Sequence, residues 1–187
     1  MVTVADYVEK RDPAALALQT RAMSVVVLVA AVLGVSLGEV PVSAAVAPVA
    51  LVPAAAVDLR TLRLPNRLVG LGSVAVAVTA LLESWVGIRI DDVRLFAVAL
   101  GVALLAGPLL AVHLIAPAAM GFGDVKLATV LGAAIGLHEP IAALVALLIA
   151  CVVGVIGGLA GRRGVIPFGP ALVLGSAMAL IVGEGVI

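Results

Sequence analysis

The sequence predicts an all-α membrane protein, a polytopic transmembrane bundle of about seven helices. Hydrophobic residues make up 64% of its 187 residues, charged residues only 12%, and the mean hydropathy is +1.34. A soluble domain of this length exposes too large a share of its residues to tolerate that composition. The chain also contains 20 glycines, and small residues let transmembrane helices pack closely. The formal net charge is zero, and no nucleic-acid partner is expected.

Seven apolar segments, each bounded by charged residues, proline or glycine, are the predicted helices. They cover residues 22–37, 40–57, 68–86, 95–116, 124–137, 141–160 and 165–182. Several are shorter than the roughly 20 residues that a full span needs. The second contains Pro41, Pro48 and Pro53, which neighbouring helices can accommodate inside a membrane. Residues 1–21 are then a cytosolic N-terminal segment, and residues 22–187 form one membrane-embedded domain.

The distribution of Lys and Arg predicts the orientation of this bundle. If the N-terminus is inside, the outer side carries only Arg89 and Arg94 of the 11 basic residues. The inner side carries Lys10, Arg11, Arg21, Arg60, Arg63, Arg67, Lys126, Arg162 and Arg163. Such an asymmetry indicates a multi-pass protein of the cell inner membrane with its N-terminus in the cytoplasm. The alternative, a signal peptide ending near residue 44, is disfavoured because no compact polar domain follows.

Two aspartates stand at the predicted cytoplasmic ends of apolar segments. Asp58 follows the second segment, and Asp124 begins the fifth. An ionisable residue inside a membrane segment is costly and indicates a functional site. Two neighbouring carboxyls share one proton, so that one can activate water while the other polarises a carbonyl, as in an aspartyl protease. The simpler alternative is that both are interfacial end caps satisfied by water and nearby arginines.

The helix dipoles suggest how the proton is divided between the two aspartates. Asp58 falls at the C-terminal end of a predicted helix, where negative charge is unfavourable, and Asp124 falls in the first turn of another, where it is favourable. The sequence therefore predicts an ionised Asp124 and a protonated Asp58. Gly121 and Gly123 flank Asp124, and their backbone leaves room for a substrate strand.

Three stretches of this sequence resemble the type IV prepilin peptidase family, the GxGD-type membrane aspartyl proteases. Residues 121–126, Gly-Phe-Gly-Asp-Val-Lys, match the family's GxGDxK signature. Asp58, followed by a basic loop and Leu-Pro-Asn at residues 64–66, matches its first catalytic segment. Ile-Pro-Phe-Gly-Pro at residues 166–170 resembles its Pro-Phe-Gly-Pro element. A bare GxGD is weak evidence, but the three together, in this order across roughly residues 50–182, are specific.

The resemblance implies an aspartic-type endopeptidase with Asp58 and Asp124 as its catalytic pair. It implies that the substrates are prepilin-like or preflagellin-like precursors, cut after a glycine at the cytoplasmic face, just before their apolar helix. Membrane lipid is the other expected partner, and no metal or cofactor is expected. The residues that the resemblance places in the architecture of the site are Pro65, Asn66, Gly121, Gly123, Lys126, Pro167, Phe168, Gly169 and Pro170.

Two of these expectations, the role of Lys126 and the peptidase function, have alternatives. Lys126 is equally explained as a lysine that reaches the inner membrane surface. Cys151 is the single cysteine, so the chain resembles the short form of the family, without the Cys-rich insertion and the methyltransferase activity of longer members. A small proton-coupled transporter that uses the two aspartates is the main alternative function, and an inactive scaffold is another. The oligomeric state is left open.

Overall fold

Seven α-helices account for the regular structure of the residues that the computed structural model describes, which are 12–36, 40–85, 92–161 and 167–182. No strand occurs within these ranges, and the predicted all-α fold class is confirmed. In chain order the helices are α1 (Pro13–Ser36), α2 (Val42–Thr61), α3 (Asn66–Trp85), α4 (Asp92–Ile115), α5 (Phe122–Gly136), α6 (Ala142–Gly161) and α7 (Gly169–Val182).

Five of these helices, α1 to α4 and α6, are long and apolar enough to cross a membrane. The other two are shorter, with 15 residues in α5 and 14 in α7. Large apolar side chains are widely exposed on the outside of the bundle, among them Val25, Leu28, Leu71, Leu148 and Val155. An exposed apolar surface of this extent is what lipid requires of a multi-pass membrane protein.

Two predicted helix starts were wrong. The first helix begins at Pro13 rather than at residue 22, because Asp12 caps it: the Asp12 Oδ1 accepts a hydrogen bond from the Ala14 N–H at 2.9 Å. Proline suits the first helical position, where its missing N–H has no partner in any case. The last helix begins at Gly169 rather than at residue 165. Residues 165 and 166 lie outside the described ranges, and Pro167 and Phe168 are not helical.

The second helix, α2, is the centre of the bundle and packs against α1, α3, α5 and α7. It runs without interruption through Pro48 and Pro53, so neither proline ends the span. Its buried face is made largely of alanines, and those with no exposed surface are Ala44, Ala47, Ala54 and Ala55. Small side chains on all sides let four helices approach one central helix. The helix also extends to Thr61, four residues past the predicted end, which places Asp58 inside its last turn.

The end of the bundle far from Asp58 has its own polar contact. The Ser43 N–H donates to Oε1 of Glu83 at 3.0 Å, and the Ser43 hydroxyl donates to Oε2. Glu83 therefore satisfies the first turn of α2, where free N–H groups favour a negative charge. This bond ties α3 to α2, so Glu83 is more than the interfacial residue that its position in the sequence suggests.

The α4–α5 pair packs through glycines. A Cβ atom at Gly132 would lie 2.7 Å from the Gly101 carbonyl oxygen and 3.0 Å from Cα of Val102. At Gly136 it would lie 2.6 Å from the Ala97 carbonyl oxygen. All of these are backbone atoms, which cannot rotate out of the way. Glycine is therefore required at both positions, and this crossing fixes α5 in the bundle.

We expect Gly132→Ala to lower the free energy of unfolding by about 1–3 kcal/mol, because the methyl group would overpack the α4–α5 interface. Gly107→Ala on α4 is the matched control: a Cβ there would have no heavy atom within 4 Å. The control should be neutral or should stabilise by up to about 1 kcal/mol through helix propensity. Unfolding of both variants in mixed detergent micelles measures the difference, and equal stabilities would contradict the close crossing.

Candidate active site

Asp58 occupies the last turn of α2 and is buried, with 5% of its surface exposed. Its Oδ2 accepts a hydrogen bond from the backbone N–H of Gly169 at 3.1 Å. Gly169 is the first residue of α7, so the carboxyl group lies at the N-terminus of that helix. Free N–H groups and the helix dipole both favour negative charge at this position.

The contact between Asp58 and Gly169 leaves no room for a side chain on Gly169. A Cβ atom there would lie 2.9 Å from Oδ2 of Asp58 and 3.4 Å from its Cβ and Cγ. The glycine of the Pro-Phe-Gly-Pro element is thus required because its backbone N–H must reach the buried Asp58 carboxyl group. Phe168 caps the same helix through its carbonyl oxygen, which accepts the Leu172 N–H at 3.0 Å.

Asp124 lies in the first turn of α5, as predicted. Gly121 is the N-cap, with extended backbone angles φ −71° and ψ 142°, and its carbonyl oxygen accepts the Asp124 N–H at 3.1 Å. The side chain is half-buried. It is close enough to Asp58 for the charge on Asp58 to act on it, and α2, α5 and α7 pack against one another at this point. Two aspartates that are distant in the sequence therefore share one site.

The structure weakens the argument that predicted an ionised Asp124 and a protonated Asp58. That prediction placed Asp58 only at the C-terminus of its own helix, where charge is disfavoured. In the folded bundle the same carboxyl also receives a backbone N–H at the N-terminus of α7, and a hydrogen bond to the charged form of a carboxylate favours that form. The dipole argument consequently no longer singles out Asp124 as the ionised member of the pair.

The chain leaves α2 through a left-handed residue, Leu62, with φ 54° and ψ 32°. Its N–H donates to the Asp58 carbonyl oxygen at 2.9 Å and closes the helix one turn after the carboxyl. Leucine is unfavourable in this region, at a cost of about 1–2 kcal/mol, and strained residues of this kind cluster at functional sites. No glycine or asparagine marks this turn in the sequence, so sequence reasoning missed it.

The Leu-Pro-Asn loop and the GxGDxK segment contact each other directly. The Lys126 Nζ donates to Oδ1 of Asn66 at 3.1 Å and lies 5.2 Å from the centre of the Phe122 ring. A Cβ on Gly123 would lie 3.0 Å from the Leu64 Cβ, so this loop packs on the glycine. Pro65 directly precedes α3, and its carbonyl oxygen accepts the Leu68 N–H at 3.0 Å. Lys126 thus has a partner within the site.

We expect the Asn66–Lys126 contact to contribute a coupling energy of about 0.5–1 kcal/mol, as exposed polar pairs usually do. A double-mutant cycle of Asn66→Ala and Lys126→Met, read out as the free energy of unfolding in mixed detergent micelles, measures it. The same cycle between Arg67→Ala and Lys126→Met is the control. Strictly additive losses in the first cycle would mean that the two side chains act independently.

His113 is a further residue of this region whose partner the sequence did not indicate. It lies in the last turn of α4, and its Nδ1 is 2.8 Å from the Met120 carbonyl oxygen, so Nδ1–H is the donor. Its ring also contacts Phe122, with 5.3 Å between the ring centres. The acceptor is in the loop that leads to Gly121. His113 therefore holds the segment that carries Asp124.

The predicted site residues thus fall into two groups that the fold brings together. Asp58 and Gly169 meet at the start of α7, and Asn66 and Lys126 meet beside Gly123 and Asp124 at the start of α5. The Phe168 ring instead lies beside Gly154 of α6, 3.1 Å from where a Cβ atom would be. Pro167 and Pro170 line a groove together with residues of α1 and α6. Pro167 and Phe168 are not helical, and α7 begins at Gly169.

Comparison with known protein families identifies one relationship. The model of the type IV leader peptidase family matches residues 45–159, more than half of the chain, and this range contains both aspartates but ends before Pro167. Comparisons with curated proteins and with solved structures gave no significant match. The chain belongs to the type IV leader peptidase family.

Proposed function

We propose that this protein is an aspartic endopeptidase that removes the leader of prepilin-like precursors at the cytoplasmic face of the inner membrane. The observation that carries the proposal is the meeting of Asp58 and Asp124 where α2, α5 and α7 converge, in a member of a leader peptidase family. The carboxyl group of Asp58 lies at the N-terminus of α7, where Gly169 donates a backbone hydrogen bond to it, and Asp124 lies in the first turn of α5. Such an arrangement can hold one negative charge between two carboxyls.

In the proposed reaction Asp58 is the ionised member and Asp124 carries the shared proton. Asp58 takes a proton from water, the water oxygen bonds to the scissile carbonyl carbon, and Asp124 gives its proton to the carbonyl oxygen. The resulting diol collapses as the C–N bond breaks. One proton passes from the now protonated Asp58 to the leaving amine, and a second returns from the diol to Asp124. The pair is then restored to its starting state.

The positions of the basic residues support cytoplasmic cleavage. Arg60, Arg63 and Arg67 are exposed at the same end of the bundle as the two aspartates, and Lys126 is bonded within the site. Basic residues concentrate on the cytoplasmic side of membrane proteins. The proposed substrate then presents its leader to this basic rim and its apolar helix to the membrane.

A proton-coupled transporter is less well supported. Transport across a bilayer by two carriers requires carboxyls near the midplane, with access from both sides. Here both aspartates lie at one end of the bundle, in the last turn of α2 and the first turn of α5.

Cleavage by the purified protein in liposomes tests the proposal. The substrate is a precursor with a polar leader, a glycine and a following apolar helix, and mass spectrometry identifies the new N-terminus. We expect cleavage directly after the glycine, without an added metal or nucleotide. A pH-sensitive dye inside the same liposomes tests the alternative: proton flux without cleavage would overturn the peptidase proposal.

A further inference from the structure

A groove of about 360 Å³ lies between α1, α6 and α7. Its walls are largely apolar, and Gln19 is the one polar side chain among the residues that line it. Met23 and Val26 of α1 form one side, Val153 and Gly157 of α6 form the other, and Leu59 and Pro170 also line it. Both α1 and α6 pack on α7, which forms the floor between them. None of the other contacts described above uses this space.

The groove borders the two turns that carry Asp58 and Gly169. Leu59 directly follows Asp58 in α2, and Pro170 directly follows Gly169, whose N–H binds the Asp58 carboxyl. In α2, Asp58 therefore belongs to the site and Leu59 lines the groove. In α7, Gly169 belongs to the site and Pro170 lines the groove. A chain held at the aspartates needs to pass only this turn to enter the groove.

The groove is long enough to take one side of a helix over two turns. Its α1 wall runs from Gln19 to Val26, a rise of about 10 Å or two helical turns. The opposite wall contains Gly157, where a Cβ atom would have no heavy atom within 4 Å. A glycine that faces open space on a transmembrane helix lets a second helix backbone approach closely.

We propose that this groove binds the first two turns of the apolar helix of the precursor, directly after the scissile bond. This inference rests on the proposed function, since it assigns the part of the substrate that stays in the membrane. The reason for a peptide occupant is the nearness of the groove to Asp58, since Leu59 and Pro170 line it: the precursor is the one partner whose apolar segment is covalently attached to the bond at the aspartates. A lipid acyl chain has the same apolar chemistry without that attachment.

Filling the groove tests the inference. In Gly157→Leu the new side chain occupies the space meant for the precursor helix, and we expect KM for the full precursor to rise about tenfold with kcat nearly unchanged. Gly107→Leu on α4 makes the same change at another glycine with open space around it, and its KM should stay at the wild-type value. The thermal midpoints of both variants show whether folding is intact. An unchanged KM for a folded Gly157→Leu protein would overturn the inference.

Crosslinking gives a second measurement that does not depend on kinetics. Cys151 is exposed on α6, so it is first replaced by serine, and Asp124→Asn keeps the bound precursor intact. Gly157→Cys should then form a disulfide with cysteines placed in the first two turns of the precursor's apolar segment, and Gly107→Cys should not. Equal crosslinking from both positions, or none from Gly157→Cys while the precursor is bound, would overturn the inference and indicate lipid in the groove.

The two proposals fail in different ways. If the wild-type protein does not cut any precursor, or if the aspartate variants still do, the proposed peptidase function is wrong. If cleavage requires both aspartates but neither the KM nor the crosslink depends on Gly157, the peptidase stands and only the groove assignment is lost.

Discussion

Asp58→Asn and, separately, Asp124→Asn are expected to lower precursor cleavage at least about a thousandfold, the usual scale for loss of an acid–base group. Each replacement keeps the size of the side chain. Asparagine cannot accept the proton of the attacking water, so the first variant loses the base. It also cannot give a proton to the carbonyl oxygen, so the second loses the acid. The measurement is kcat/KM for the full precursor in liposomes.

Glu139→Gln is the matched control for these two variants. Glu139 is a carboxylate in the turn before α6, at the opposite end of the bundle, where its Oε1 accepts the Ile141 N–H at 3.3 Å. A glutamine oxygen can accept the same bond, so cleavage should stay near the wild-type rate. Substantial cleavage by either aspartate variant, with the product cut at the same bond, would show that the pair is not the catalytic centre.

The pH dependence of cleavage follows from the shared proton. The active pair holds one proton on two carboxyls, so activity falls at low pH when both are protonated and at high pH when both are ionised. We therefore expect a bell-shaped profile of kcat/KM whose two limbs belong to the pair as a unit. A titration that resolves the two carboxyls further tests their roles, and loss of the proton from Asp124 before Asp58 would reverse the proposed assignment.

The membrane fold and the two aspartates were predictable because they depend on local features of the chain. Composition alone indicates a helical membrane protein, and Asp58 and Asp124 stand out as carboxyls at the ends of apolar runs. The start of α1 was also readable, because Asp12 before Pro13 is a helix-capping pattern. It was missed because the apolar run was taken to begin after Arg21.

The contacts between segments were not predictable from one sequence. The bond from Gly169 to Asp58 joins α7 to α2, and the bond from Lys126 to Asn66 joins α5 to α3. Each depends on how the helices pack, which apolar periodicity does not specify in a bundle surrounded by lipid. The left-handed conformation of Leu62 could not be predicted from the sequence for a similar reason. Tertiary contacts, and not the residue type, hold Leu62 in that conformation. Resemblance to the family names these residues without giving their partners.

Gly169→Ala is the second variant for which we expect a large effect. Its cleavage rate should fall about 10- to 100-fold, mainly through a lower kcat. The added methyl would lie 2.9 Å from Oδ2 of Asp58, so the carboxyl must move away from the Gly169 N–H. The bond that favours its ionised form is then lengthened or broken, and Asp58 becomes a poorer match for its role as base. A hydrogen bond to a charged group is worth about 1.5–3 kcal/mol, which corresponds to the expected loss.

Two other glycine variants separate this effect from a general effect of alanine. At Gly121 the nearest atom to an added Cβ is Oδ2 of Asp124 at 3.8 Å, an ordinary contact, so Gly121→Ala should lose less activity than Gly169→Ala. Gly107→Ala on α4, where the added Cβ has no heavy atom within 4 Å, should lose none. If Gly121→Ala proves the more damaging, the glycines serve mainly to admit the substrate backbone. If Gly169→Ala instead loses more activity, the start of α7 acts by stabilising the negative charge on Asp58.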